Sequence, residues 1–216
     1  MTRSFSSPMF TRAVTAFAVF GLGIAMLPAA ACKSTGVGDP CTPEAEYNTS
    51  GNGSDGFSID EVNFESKSFQ CLTRLCLVNH FQGRVSCQYG QDSSGNPPPG
   101  VKNGCTVPND ATQKITGDPS LGAKNVVNPQ CTDRTADKAV YCSCRCANAD
   151  GKTDDGANYC ACPDGFTCSQ LVSPIGTTNE GLTGAFCIKQ GTEYDKSNAC
   201  ANTCDPTTNP CPGPQE

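Results

Sequence analysis

Seventeen of the 216 residues are cysteine, and no other feature restricts the fold as strongly. Sixteen of them follow residue 40: Cys41, Cys71, Cys76, Cys87, Cys105, Cys131, Cys142, Cys144, Cys146, Cys160, Cys162, Cys168, Cys187, Cys200, Cys204 and Cys211. The seventeenth, Cys32, stands near the N-terminus. Thiols at this density either bind soft metals or oxidise in pairs, and the compartment decides between the two.

The compartment is read from the first 31 residues. Arg3 and Arg12 precede an apolar run from Ala13 to Met26 in which only Thr15 is polar. Leu27, Pro28 and Ala29-Ala30-Ala31 then lead to Cys32, and no acidic residue occurs before Asp39. A basic start, a short apolar middle and small residues at a cut site make a secretory signal peptide, expected over 1–31. The run falls short of the roughly 20 apolar residues that span a bilayer.

Ala29-Ala30-Ala31-Cys32 resembles the lipobox of bacterial lipoproteins. In that family the cysteine thiol receives a diacylglycerol, the chain is cut just before it, and the new amine is acylated. The resemblance implies lipidation at Cys32, with palmitate-type chains, and attachment to a membrane through that lipid. Residue 33 is Lys rather than Asp, which in the family's sorting rule implies the outer membrane or cell surface. The alternative is ordinary cleavage after the alanines, leaving Cys32 free or paired.

Export makes disulfides the expected state of the other sixteen cysteines, an even number. They are also needed. From Cys32 onward, Leu, Ile, Val and Phe number 26 in 185 residues, and there is no Trp. A fraction this low predicts disorder unless something other than a core offsets chain entropy. Eight bridges at about 2–4 kcal/mol each are such a source. Their connectivity is open, since sixteen cysteines allow about two million pairings. The leader carries two of the 15 basic residues and none of the 21 acids, so the remainder has a net charge of −8. That balance argues against a nucleic-acid partner, which requires clustered cations.

The fold class expected is a small disulfide-rich β/irregular domain with short antiparallel strands and little helix outside the leader. Residues 32–56 are rich in Gly, Ser, Asn and Thr and read as a lipid-anchored flexible tether, pinned in part at Cys41. Residues 57–104 form a first β-rich lobe. There Phe57, Ile59, Val62 and Phe64 alternate with polar residues, a second strand lies in Phe69–Val78, and Arg84–Tyr89 reads as a returning strand. The lobe ends in a linker carrying Pro97-Pro98-Pro99-Gly100. Residues 105–204 form a second cysteine-rich lobe, where Thr135–Tyr141 fits a short helix or a strand. Residues 205–216 are a Pro-rich tail. Cys71, Cys76, Leu77-Val78 and Cys87 are echoed by Cys162, Cys168, Leu171-Val172 and Cys187, through duplication of one stapled hairpin or through chance.

Cys160-Ala161-Cys162-Pro163-Asp164-Gly165-Phe166-Thr167-Cys168 resembles the end of an EGF-like module. Cys-x-Cys puts two thiols on one side of an extended chain, and Pro-Asp-Gly makes the turn. The resemblance implies a binding or adhesive module. Cys142, Cys144 and Cys146 alternate in a pattern that also suits Zn or Cu(I), but no Cys-x-x-Cys pair accompanies them. Counting Cys146 as position 1 of a twelve-residue calcium loop, Asn148, Asp150 and Asp154 fall at ligand positions 3, 5 and 9. Cys146 and Ala157 stand where Asp and Glu are required, so a solvated acidic turn is the better reading.

Catalysis has little footing. His80 is the single histidine, beside Phe81 at the end of an apolar run, where a strand-end or turn histidine is expected. No nucleophile elbow, phosphate loop or haem motif is present. The function expected is that of an exported, lipid-anchored, non-enzymatic surface protein with no cofactor, binding a protein or glycan partner. The alternatives are a purely structural envelope component or a Zn, Cu or Ca protein.

Overall fold

A computed structural model of the chain describes residues 36–49, 55–116, 126–172, 183–198 and 200–211. The region expected as a signal peptide, Cys32 and the end of the tail from 212 lie outside the described residues. The described residues fall in one compact unit.

The fold is small, disulfide-rich and β/irregular. Strands β1 (Val62–Glu65) and β2 (Leu75–Asn79) pair antiparallel, with Phe64 opposite Leu77. β3 (Thr106–Val107) and β4 (Asp110–Lys114) form a short hairpin. A one-turn helix, α1 (Ala136–Ala139), runs directly into β5 (Val140–Ser143), which pairs antiparallel with the other edge of β2. After Cys144 the chain continues as β6 (Arg145–Ala147), which pairs with β8 (Gly184–Lys189); β8 in turn pairs with β7 (Phe166–Val172). Two three-stranded sheets, β1-β2-β5 and β6-β8-β7, therefore meet at one residue. The joint is tied by Cys187 N–H donating to the Cys144 carbonyl at 3.1 Å and by Ser143 Oγ donating to the Cys187 carbonyl at 2.8 Å.

The core is thin, as the aliphatic count requires. One cluster gathers Val78, Phe81, Ala139 and Val140 around Cys41, Cys71, Cys76 and Cys142. A second is built on Cys144, Cys146, Cys187 and two alanines. Half-cystines thus occupy positions that aliphatic side chains fill in an ordinary core, and they bury apolar sulfur as they crosslink.

Two local expectations need adjusting. Arg84–Tyr89 is a pair of turns rather than a strand, with Cys87 N–H donating to the Arg84 carbonyl and Gly90 N–H to the Cys87 carbonyl. Gly83 and Gly90 have φ of 82° and 68°, and each lies hard against the 127–128 backbone: a Cβ there would come within 2.1 Å of Asn128 O and 2.2 Å of Val127 O, respectively. Thr135–Tyr141 is helix and then strand. The two stretches expected as separate lobes share the β2–β5 pairing and the Cys71–Cys142 bridge across the Pro/Gly segment.

The described part of the expected tether, 36–49, is packed down. Gly38 N–H donates to the Cys142 carbonyl and Cys142 N–H to the Asp39 carbonyl, each at 2.8 Å, so this segment extends the β5 edge. Cys41 then bridges to Cys76. A 3-10 turn, Glu44–Tyr47, carries Glu46 into the interior, where its side chain and that of Arg84 are both fully buried, with Arg84 Nε 3.6 Å from Glu46 Oε2. The Glu46 carboxylate also accepts from Val85 N–H (2.8 Å), Ser86 N–H (3.2 Å) and Ser86 Oγ (2.6 Å). Arg84 donates back to the Glu46 and Asn48 carbonyls. Composition did not expose this pair, because nothing local distinguishes Glu46 from its exposed neighbour Glu44.

Candidate anchoring and binding sites

All sixteen expected half-cystines are bridged, in eight pairs: Cys41–Cys76, Cys71–Cys142, Cys87–Cys105, Cys131–Cys200, Cys144–Cys160, Cys146–Cys168, Cys162–Cys187 and Cys204–Cys211. Eight bridges mark an exported chain. Among the described residues no helix is long and apolar enough to cross a membrane. Cys144, at the joint before β6, and Cys146, within β6, take different partners, so the three bridges of the second sheet overlap along the chain: 144–160, 146–168 and 162–187. Among the described residues, three triads of cysteines each bring their sulfurs within 4.8 Å of one another, such as Cys144, Cys160 and Cys187. They are neighbouring bridges, and a bridged sulfur offers no thiolate to a metal.

Cys71, Cys76 and Cys87 pair outward, to Cys142, Cys41 and Cys105, whereas Cys162 and Cys187 pair with each other. The two echoed stretches are therefore stapled differently. In the 160–168 stretch the chain turns as expected, Phe166 N–H donating to the Pro163 carbonyl at 3.1 Å with Gly165 at φ 83°.

The calcium-like residues close their own turn. Asn148 Oδ1 accepts from Asp150 N–H (3.0 Å) and Lys152 N–H (2.8 Å), and its amide nitrogen donates to Asp155 at 3.0 Å. Asp150 and Asp154 are exposed. The acid that gathers partners is Asp155, which the template passes over. Tyr159 donates to it at 2.6 Å, and with Ala157 N–H and Asn148 it holds the Asp155 carboxyl down at about 2.

His80 follows β2 with φ 50°, as a turn histidine does. Its ring stacks on Tyr194 at 3.7 Å and its Nδ1 lies 2.9 Å from the Ile59 carbonyl oxygen. Burial lowers its pKa below 6.5, the Ile59 carbonyl opposes this, and the nearby Arg134 cation lowers it again. Buried Arg134 donates to the carbonyls of Asn79, His80 and Thr192. Histidine, tyrosine and arginine together clasp the end of β2 to the 192–194 segment.

Two clefts among the described residues bear on binding. The larger, about 520 Å³, lies between the 85–90 turns and the 100–106 segment, which the Cys87–Cys105 bridge holds together. Its polar lining is Ser86, Gln88, Tyr89, Lys102, Asn103 and Thr106, without an acid. The second, about 470 Å³, is lined by Arg74 and Arg145 with Thr73, Asn158 and Tyr159. Arg145 lies 5.4 Å over the Tyr159 ring, and Arg74 lies 4.7 Å over Phe69. Phe69 and Leu72 beside this cleft are 88% and 73% exposed. Neither cleft was legible in the sequence, since each is assembled from several separate segments whose side chains form no motif.

No family model, curated protein or solved structure matches the chain.

Proposed function

We propose that this chain is an exported bacterial-type lipoprotein: a signal peptide over 1–31, acyl chains on Cys32, and a disulfide-stapled, non-enzymatic module that binds a protein or glycan at the cell surface. The observation that carries the reading is the cysteine pairing. The sixteen described cysteines are satisfied among themselves, and this leaves Cys32, the cysteine of the lipobox-like Ala29-Ala30-Ala31-Cys32, with no described thiol to pair with. A lipid is the modification that a cysteine in this context receives.

The non-enzymatic part rests on His80, whose Nδ1 faces a backbone carbonyl and whose ring is covered by Tyr194. The binding part rests on the larger cleft, where an aromatic, amides, hydroxyls and one ammonium are held on bridged turns. Such a lining recognises a neutral polar surface by hydrogen bonds and ring stacking.

The test has two arms. Intact mass of protein extracted from its own membranes, with and without alkylation but without reductant, is expected to show an acylated chain starting at Cys32 with no alkylated thiol. A lipid-free chain or several alkylated thiols overturns the reading. Crosslinking on intact cells then compares wild type with Tyr89→Ala. A partner captured only by wild type is expected, and equal capture by both removes the cleft as the binding surface.

A further inference from the structure

The chain enters the described domain at Gly36, and Gly36 is pressed against Leu72: a Cβ at Gly36 would meet the Leu72 Cβ at 2.8 Å. Leu72 and Phe69 are the most exposed of the large apolar side chains among the described residues. Both stand on the loop between β1 and β2. That loop is rigid by construction. Cys71, between them, is buried and bridged to Cys142; Ser68 N–H donates to the Arg74 carbonyl at 3.1 Å, and Arg74 N–H to the Cys71 carbonyl at 2.9 Å. The two apolar side chains are thus held outward. Adjacent apolar side chains displayed this way mark a surface that meets an apolar partner.

The charge around them narrows the partner. Arg74 covers one face of Phe69, Lys67 is an exposed neighbour, and Arg74 and Arg145 line the adjoining cleft, which has no acid among its lining residues. This occurs in a chain where acids outnumber bases 21 to 15. An apolar tip flanked by cations, here Arg74 and Lys67, is the composition that partitions into the boundary of an anionic bilayer.

Chain length then brings the bilayer to the loop. Cys32 precedes Gly36 by four residues, and four residues reach at most about 14 Å when fully extended. Acyl chains on the Cys32 sulfur keep the membrane surface within about that distance of Gly36, and so of Leu72.

We propose that the 66–75 loop is a membrane-docking surface: Phe69 and Leu72 enter the headgroup–acyl boundary, and Arg74 meets lipid phosphates. The module then lies on the bilayer instead of standing off it. This inference rests on the lipidation of Cys32 proposed above. Arginine suits the role because its planar fork pairs bidentately with phosphate oxygens.

The test uses the native lipidated protein, its mass verified, in nanodiscs of phosphatidylglycerol and phosphatidylcholine. Hydrogen exchange is followed by peptide in wild type and in the double variant Phe69→Ser/Leu72→Ser, corrected for intrinsic rates. The loop amides at 66–75 are expected to exchange at least about tenfold more slowly in wild type, from the apolar area that the two side chains bury, while β7 and β8 exchange equally in both. Arg74→Glu, an exposed position, gives an independent perturbation and is expected to restore exchange in the same loop. An acylated Cys32 with equal loop exchange in all three proteins sinks the docking proposal and leaves the anchor standing. A preparation carrying no acyl chain on Cys32 sinks both.

Discussion

Removing both partners of the Glu46–Arg84 pair is expected to cost far less than the sum of removing each alone. Both side chains are fully buried. Burial pushes the Arg84 pKa down, and Glu46 and Asp55 push it back up. In Glu46→Leu the guanidinium stays in the interior without its carboxylate, and Val85 N–H and the Ser86 N–H and hydroxyl lose their acceptor. Breaking a buried pair in this way costs about 3–5 kcal/mol. Arg84→Met strands the carboxylate instead, at a similar cost of about 3–5 kcal/mol. The double variant Glu46→Leu/Arg84→Met buries no charge, and its cost is expected to fall at least about 3 kcal/mol below the sum of the singles. The assay is urea unfolding at pH 7 with the bridges intact, where a slope of about 1–3 kcal/mol per molar turns a single-variant loss into a midpoint shift of about 2 M. Single variants within about 1 kcal/mol of wild type, or strictly additive losses, would refute the claim that this pair pins 44–48 to the 84–86 turn.

Three further outcomes follow from the same structure. His80 is held below 6.5 in the fold, so the unfolded state binds the proton more tightly; stability is full above pH 6.5 and is lost as the pH falls from there toward the lower folded value. His80→Asn, which tolerates the positive φ, is expected to flatten the unfolding midpoint between pH 7 and pH 5, and a fall of wild-type size in the variant would place the titration elsewhere. Cys71→Ala/Cys142→Ala opens a loop with a sequence separation of 71 and is expected to cost about 4 kcal/mol, read as a lowered urea midpoint. Full reduction is expected to abolish cooperative unfolding, and a reduced protein with an unchanged melt would show that the thin core suffices alone.

The class of this fold was legible because it depends on counts and short-range pattern. Sixteen cysteines on a chain with few aliphatics can form a stable domain through bridges; the alternation of Val62 and Phe64 with polar residues carries the strand period of two, and Leu75–Val78 is a short continuous apolar run of the kind a strand buried on both faces shows. The turn at Pro163–Phe166 was legible for the same reason: Pro, Asp and Gly act on their own backbone. The placement of His80 at a strand end followed from the apolar run before it.

Pairing was not legible, because a bridge is decided by which Cα atoms the fold brings within reach, and Cys71 and Cys142 meet only once β2 and β5 share an edge. The burial of Glu46 was hidden likewise. Its partners lie some forty residues away, so an isolated acid in a polar segment reads as solvated. Asn148 was chosen by spacing and Asp155 passed over, though folding places both the Tyr159 hydroxyl and the Asn148 amide on Asp155. The packing of Gly36 against Leu72, which brings the candidate anchor close to the exposed Phe69, is likewise a property of the folded chain. Local chemistry determined what this protein is made of and how its short segments bend. Which distant groups share an environment was decided by tertiary structure alone, since burial, ion pairing and covalent bridging act through distances that sequence separation does not encode.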